Sequence, residues 1–325
     1  MISATRGFLL VFLLWIQPIS ADSQPMRTSA YHPGAKEEAV EWQRNLREDL
    51  WRILQLQPLR EIQGSLDLNP EKISSRKKDH YEFQAIEISS TPSRRIPVVV
   101  TLPESEGPHP AVVCIHGHGH DRFKSYDKES IYKGFASVLA ERGVVTIAMD
   151  VGQHEVYEEG MILMGERLWD VIRCVDYLES LPQVDKGRIG CAGLSLGGEM
   201  AMWLGAMDTR IQATVSAGFL TTMDHMEVNH CMCWKFEGLR ELVDYADIYS
   251  LIAPRALMCQ NGLKEPESQF YVPLAREVLK EIEPIYEIFG VPQNLELDVH
   301  EGGHEIDLPG LLRFFEERLS IPKGS

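Results

Sequence analysis

The sequence predicts an α/β fold in which a mostly parallel central sheet is flanked by helices. Three observations carry that reading. From about residue 81, short apolar runs of strand length alternate with longer segments of helical period. Several of these runs are apolar without interruption, as in parallel strands buried on both faces. One run, residues 188–192, passes through a glycine-bracketed serine, Gly193-Leu194-Ser195-Leu196-Gly197, directly into a helical pattern.

The elements follow in order. Arg6, the apolar run 7–16, and Pro18, Ser20 and Ala21 read as a signal peptide over residues 1–21. The run is too short to span a bilayer as a mature helix. The expected location is therefore secreted or periplasmic, with no membrane association after cleavage. Residues 22–79 form an N-terminal extension. Its polar lead-in is followed by an amphipathic helix over 37–56, with Val40, Trp42, Leu46, Leu50 and Leu54 at helical spacing. Residues 57–80 are expected to be loop. Residues 80–325 form the main domain, with strands at 82–88, 96–102, 111–116, 144–150, 189–194, 213–219, 255–260 and 295–300. Helices are expected at 128–142, 161–181, 196–207, 274–288 and 310–319. The stretch 216–249 is too long for an ordinary connection, and a cap-like insertion is expected at about 220–249.

Composition bounds the partners. The chain has 325 residues and a net charge of −16. An acidic surface lacks the basic patches that nucleic acid and anionic membranes require, so both are excluded as partners. A neutral small molecule or carbohydrate remains compatible. Of the six cysteines, Cys114, Cys191 and Cys259 lie in strand-like apolar runs and Cys174 on a helix. These read as small buried hydrophobes. Cys231 and Cys233 lie in a polar stretch of the insertion, where one of them could pair elsewhere or remain free.

The chemistry centres on Ser195. A strand entering and a helix leaving G-x-S-x-G is the context of a nucleophile elbow, which presents the serine on a tight turn. The helix N-terminus favours developing negative charge there, and the N–H of Leu196 is placed as an oxyanion donor. A second donor is expected from the glycine-rich His116-Gly117-His118-Gly119 that follows another strand, with His118 preferred over Gly119. His116, His118 and His120 with Asp121 suggest a metal set, but the aspartate follows the third histidine, and no metal or cofactor is expected. In this fold the chain order is serine, acid, histidine. His304, on a loop after a glycine pair, is the expected base, with His300 as the alternative. Glu265, in the turn after strand 255–260, is the expected acid, with Glu267 as its substitute. Asp150, His154 and Glu155 read as solvated loop residues. Met223, Met226, Met232 and Trp234 either wall the substrate or hold the insertion to the body.

These residues resemble the dienelactone hydrolase and acetyl xylan esterase branch of the α/β-hydrolases. The resemblance rests on residues 193–198, 116–119, the stretch 251–255 before Asn261-Gly262, the run 184–190 and Gly302-Gly303-His304. It covers about residues 80–320 and leaves the N-terminal helix outside. It implies an α/β-hydrolase fold and hydrolysis of carboxylic esters through an acyl-enzyme. Acetyl or uronate esters of carbohydrates are among the substrates it implies. The chain departs from the branch in two ways. The acid there is usually aspartate, and dienelactone hydrolases use cysteine where this chain has Ser195. A peptidase or lactonase on the same fold is the rival enzyme reading. A non-catalytic binding protein is the rival of another class, although no triad member is missing.

Overall fold

The computed structural model describes residues 26–323. The expected signal segment, residues 1–21, lies outside the described residues. Nine strands form one sheet: β1 Glu71–Lys77, β2 Tyr81–Ser89, β3 Arg95–Pro103, β4 His109–Ile115, β5 Val145–Met149, β6 Val184–Leu194, β7 Ile211–Ala217, β8 Ala256–Gly262 and β9 Leu295–His300. Their spatial order is β1-β2-β3-β5-β4-β6-β7-β8-β9. The first three strands are antiparallel, and β3 meets β5 antiparallel. From β5 through β4 to β9 every pairing is parallel.

Period-two geometry explains the uninterrupted apolar runs. In β4, Ala111, Val113 and Ile115 enter one core, while Val112 and Cys114 enter the core on the opposite face. Helix α3 (Phe135–Glu141) and helix α10 (Leu308–Leu319) cover the second face. The first face is covered by α1 (Lys36–Ile53), α4 (Leu163–Ser180), α5 (Leu196–Met207) and α9 (Val272–Ile288). Cys114, Cys174, Cys191 and Cys259 are all buried.

The N-terminal segment departs from expectation. Residues 57–80 contain a short helix, α2 (Gln57–Ile62), and the strand β1, every residue of which is exposed. An edge strand with neither face buried carries no apolar alternation, so the sequence pattern is silent there. Helix α1 docks on the main body. Its Leu46 and Leu50 join the core, and Gln43 Nε2 donates to the carbonyls of Ser250 (2.9 Å) and Ala253 (2.8 Å). The expected helix 128–142 is shorter, because left-handed Lys133 and Gly134 hold the preceding residues in turns. The insertion contains α6 (Met223–Asn229), α7 (Leu239–Leu242) and α8 (Tyr245–Ser250).

Candidate active site

Ser195 lies between the last residue of β6 and the first of α5, at φ 62° and ψ −123°. A side chain in that conformation costs on the order of 1–3 kcal/mol and persists only where its surroundings impose it. Here the Ser195 N–H donates to Ala217 O on β7 (2.9 Å), and its carbonyl accepts from Glu199 N (2.9 Å). The glycines make the close approach possible. A Cβ at Gly197 would lie 2.2 Å from Ile115 O, one at Gly193 2.2 Å from Gly197 O, and one at Gly198 2.5 Å from Ala217 O. Leu196 opens α5, and a helix leaves its first N–H groups without an intrahelical partner.

The loop after β4 presses against this turn. A Cβ at Gly117 would sit 2.8 Å from Leu194 O and 3.1 Å from Ser195 Cβ. His116 is fully buried, with Nδ1 2.8 Å from Gly117 O and Nε2 accepting from Val151 N–H at 3.1 Å. Burial lowers its pKa, and both ring nitrogens are already used. The Tyr132 hydroxyl accepts from Gly117 N–H (2.6 Å) and pairs with His120 Nδ1 (3.0 Å). Asp121 caps Phe123 N at 3.0 Å. The histidine triplet is thereby separated, and His118 turns to a third partner, Cys233 Sγ, at 3.1 Å. Among the described residues no hydrogen bond uses the backbone N–H of His118 or Leu196.

The expected acid and base, Glu265 and His304, follow the ends of β8 and β9. Their loops are tied together by Leu263 N to His300 O (2.8 Å) and Lys264 N to Gly302 O (2.9 Å). A Cβ at Gly262 would lie 2.3 Å from Gly303 O. The Glu265 side chain is 1% exposed, and its Oε2 accepts from His304 Nδ1 (3.2 Å) and Phe270 N (3.1 Å). The Phe270 ring stacks on His304 at 5.6 Å. His304 packs against Gly218, where a Cβ would meet the ring at 2.8–2.9 Å. Gly218 directly follows Ala217, the residue that fixes Ser195, so the imidazole lies beside the elbow. None of the described hydrogen bonds joins Ser195 Oγ to that ring; such contacts commonly tighten only when substrate binds. His300 instead accepts Gly302 N–H on its own Nδ1 (3.2 Å), and Glu267 is exposed.

Ser195, His118 and Leu196 face a cavity of about 40 Å³ walled by Phe219, Met226, Trp234 and Phe270. Of the insertion's apolar residues, Met223, Met226 and Trp234 are buried, whereas Met232 is exposed. Asp150 is engaged by Arg122, whose backbone N–H it accepts at 2.7 Å, and Glu155 is exposed. One wall residue, Glu199, and a buried arginine behind it, Arg167, escaped sequence reasoning. Glu199 stands one helical turn beyond Ser195, a spacing that placed it on the serine's side of α5. It is 2% exposed, and burial pushes its carboxyl up to about 8 against the opposing charge of Arg167. Arg167 is itself wholly buried on α4, where no motif announces it. Burial, aided by the Arg167 charge, lowers the His118 imidazole to about 4.

Comparisons with known proteins bear on the family and the fold. A Bacillus subtilis protein described as a hydrolase without a named substrate, YtaP, is 28% identical over 246 residues, covering 67% of this chain and 80% of its own. The 2,6-dihydropseudooxynicotine hydrolase of Paenarthrobacter nicotinovorans is 28% identical over 196 residues, covering 56% of this chain and about half (51%) of its own length. The solved structure of methylesterase BT1017 superposes with a TM-score of 0.73 at 19% identity, covering 92% of this chain and 70% of that one, and so shares the fold. Residues 47–230 match the family described as acetyl xylan esterase (AXE1), a match that begins inside α1, includes Ser195 and ends before Glu265 and His304. That stretch is more than half of the chain, and the protein belongs to the acetyl xylan esterase (AXE1) family of carboxylic ester hydrolases.

Proposed function

We propose that this protein removes short acyl groups, acetyl foremost, from carbohydrates through a Ser195–His304–Glu265 triad and an acyl-enzyme. The single observation that carries the reading is the pairing of buried Glu265 with half-buried His304 at 3.2 Å, set against the strand end that fixes the strained Ser195. Ser195 Oγ attacks the ester carbonyl while His304 Nε2 takes its proton. Glu265 accepts the Nδ1 proton, which fixes the tautomer and offsets the charge of the imidazolium. The N–H groups of Leu196 and His118 receive the oxyanion. His304 then protonates the leaving alcohol and activates the water that releases the acid.

The size of the acyl group follows from the cavity. At about 40 Å³ the space beside Ser195 is narrow, which favours a short acyl group such as acetyl over a long chain. A carbohydrate is compatible as the alcohol, since a net charge of −16 disfavours anionic polymers. Secretion or a periplasmic location, which rests on residues 1–21, belongs to the same proposal.

The test is a series of p-nitrophenyl esters, with acetylated and deacetylated xylooligosaccharides assayed in parallel. Wild type hydrolyses the acetate ester, falls in kcat/KM from acetate to butyrate, and releases acetate from the oligosaccharide; Ser195→Ala does none of these above background. Equal turnover by Ser195→Ala, or a preference for long chains, contradicts the proposal.

A further inference from the structure

Beside the acyl cavity, four side chains with metal-binding atoms converge. We infer that His118, His154, Cys231 and Cys233 form a binding site for one zinc-class divalent ion. The donor atoms of all four lie within 4.8 Å of one another. His118 Nε2 is 3.1 Å from Cys233 Sγ, and His154 Nε2 is 3.4 Å from Cys231 Sγ. The two imidazoles stack with centroids 5.3 Å apart. Bonds of about 2.0–2.3 Å to nitrogen and sulfur in a tetrahedron require donor–donor edges of roughly 3.3–3.8 Å. The two short contacts already lie close to that range.

The donor types point the same way. Two thiolates would cancel a divalent charge, and a mixed sulfur–imidazole set is soft enough to favour zinc over calcium or magnesium. The Arg167 guanidinium, wholly buried, donates to Cys233 Sγ at 3.5 Å, which sets a cation against the sulfur as a thiolate would require. Four protein donors leave no open position, so the ion binds structurally, and no step of ester hydrolysis passes through it.

The site joins three segments that are distant in sequence. His118 lies on the loop after β4, His154 on the loop after β5, and the two cysteines at the start of a short 3-10 turn, Met232–Trp234, in the insertion. An ion there staples the insertion over the cavity and holds the residue-118 loop in place. Only that last consequence, the positioning of an oxyanion donor, rests on the proposed mechanism; the binding site itself does not.

Cobalt(II) provides a readout independent of activity. The full chain is reduced, stripped of metal with a chelator, desalted and titrated anaerobically with Co²⁺. The expected result is a thiolate-to-cobalt charge-transfer band and visible d–d bands that saturate at one equivalent and vanish on adding Zn²⁺. The Cys231→Ser/Cys233→Ser double variant loses the thiolate band. His154→Ala, at an exposed position that does not threaten folding, weakens binding at least as much as the ~10–100-fold typical of losing an outer-sphere partner. The idea is overturned if the reduced wild type shows no thiolate band at one equivalent, if the band survives in the double variant, or if His154→Ala binds as tightly as wild type. Labelling of Ser195 by a fluorophosphonate, measured on the same samples, separates failure of the metal site from failure of the hydrolase reading.

Discussion

Glu265→Gln isolates the charge of the proposed acid. The substitution keeps the shape of a side chain that is 1% exposed, and its amide oxygen can still accept the Phe270 N–H now bonded at 3.1 Å. What it removes is the negative charge 3.2 Å from His304 Nδ1. Both groups bond the one oxygen Oε2. An amide that keeps its oxygen there still accepts from both but lacks the charge that offsets the imidazolium. One that turns its NH2 there selects the tautomer with its proton on Nε2, where it cannot accept from Ser195. The equivalent change in serine proteases costs about 10⁴ in kcat, or ~5 kcal/mol of barrier. A loss of roughly 10³–10⁴ in kcat for p-nitrophenyl acetate, with KM changed much less, is expected here. Glu265→Ala is a poorer probe, since it also strands the Phe270 N–H at a cost of about 1–3 kcal/mol. Circular dichroism and a melting curve show whether Glu265→Gln remains folded. A folded Glu265→Gln enzyme within tenfold of wild-type kcat would refute the assignment, as would a large loss in Glu267→Ala, whose side chain is exposed.

His304→Ala should lower kcat by more than ~10³, whereas His300→Ala, whose ring serves its own loop, should stay within about tenfold; equal losses would show that the two loops act differently from this account. Gly197→Ala places a Cβ 2.2 Å from the backbone oxygen of Ile115, and should cost at least about 1–3 kcal/mol in denaturant unfolding together with most of the activity; a variant with an unchanged midpoint would show that the turn relaxes freely. Glu199→Gln tests the buried carboxyl. Its folded pKa of about 8 lies above the ordinary 4.5, so ionisation is easier in the unfolded chain, and wild type loses stability as pH rises from about 4.5 to about 8. The melting-temperature advantage of Glu199→Gln should therefore be small near pH 5 and grow by several degrees toward pH 8; a pH-independent difference would contradict the buried, proton-holding environment.

Legibility followed burial. The strands from β4 to β8 were readable because sheet geometry sends alternate side chains into two apolar cores, as Val112 and Val113 do, while β2, β3 and β9 send apolar side chains into one core only. β1 was not readable, because all seven of its residues face solvent and its register is set by backbone pairing with β2 alone. The N-terminal helix was legible as a helix, but its docking was not. That docking depends on Gln43 reaching carbonyls 207 and 210 residues away, a relation that local periodicity does not encode. Within the candidate site, Ser195, Glu265 and His304 could be proposed from the sequence because local turn chemistry and strand ends mark them. Arg167 carries no local mark and Glu199 only its one-turn spacing from Ser195, since their meaning arises when α4 and α5 pack side by side. The histidine-rich loop is the opposite case, a local spacing that does not translate into one shared set of partners. Its spacing suggested a shared ligand set, yet the fold sends His116 to Val151, His120 to Tyr132 and His118 to Cys233, three different partners.

The central claim is that Ser195 is the nucleophile, and covalent capture tests it most directly. Native protein is incubated with a fluorophosphonate, its intact mass is measured, and the modified peptide is sequenced by tandem mass spectrometry. The account predicts one adduct per chain on Ser195, lost in Ser195→Ala and after heat denaturation and strongly slowed in His304→Ala. A folded, unlabelled wild type, or an adduct on any other residue, would contradict it.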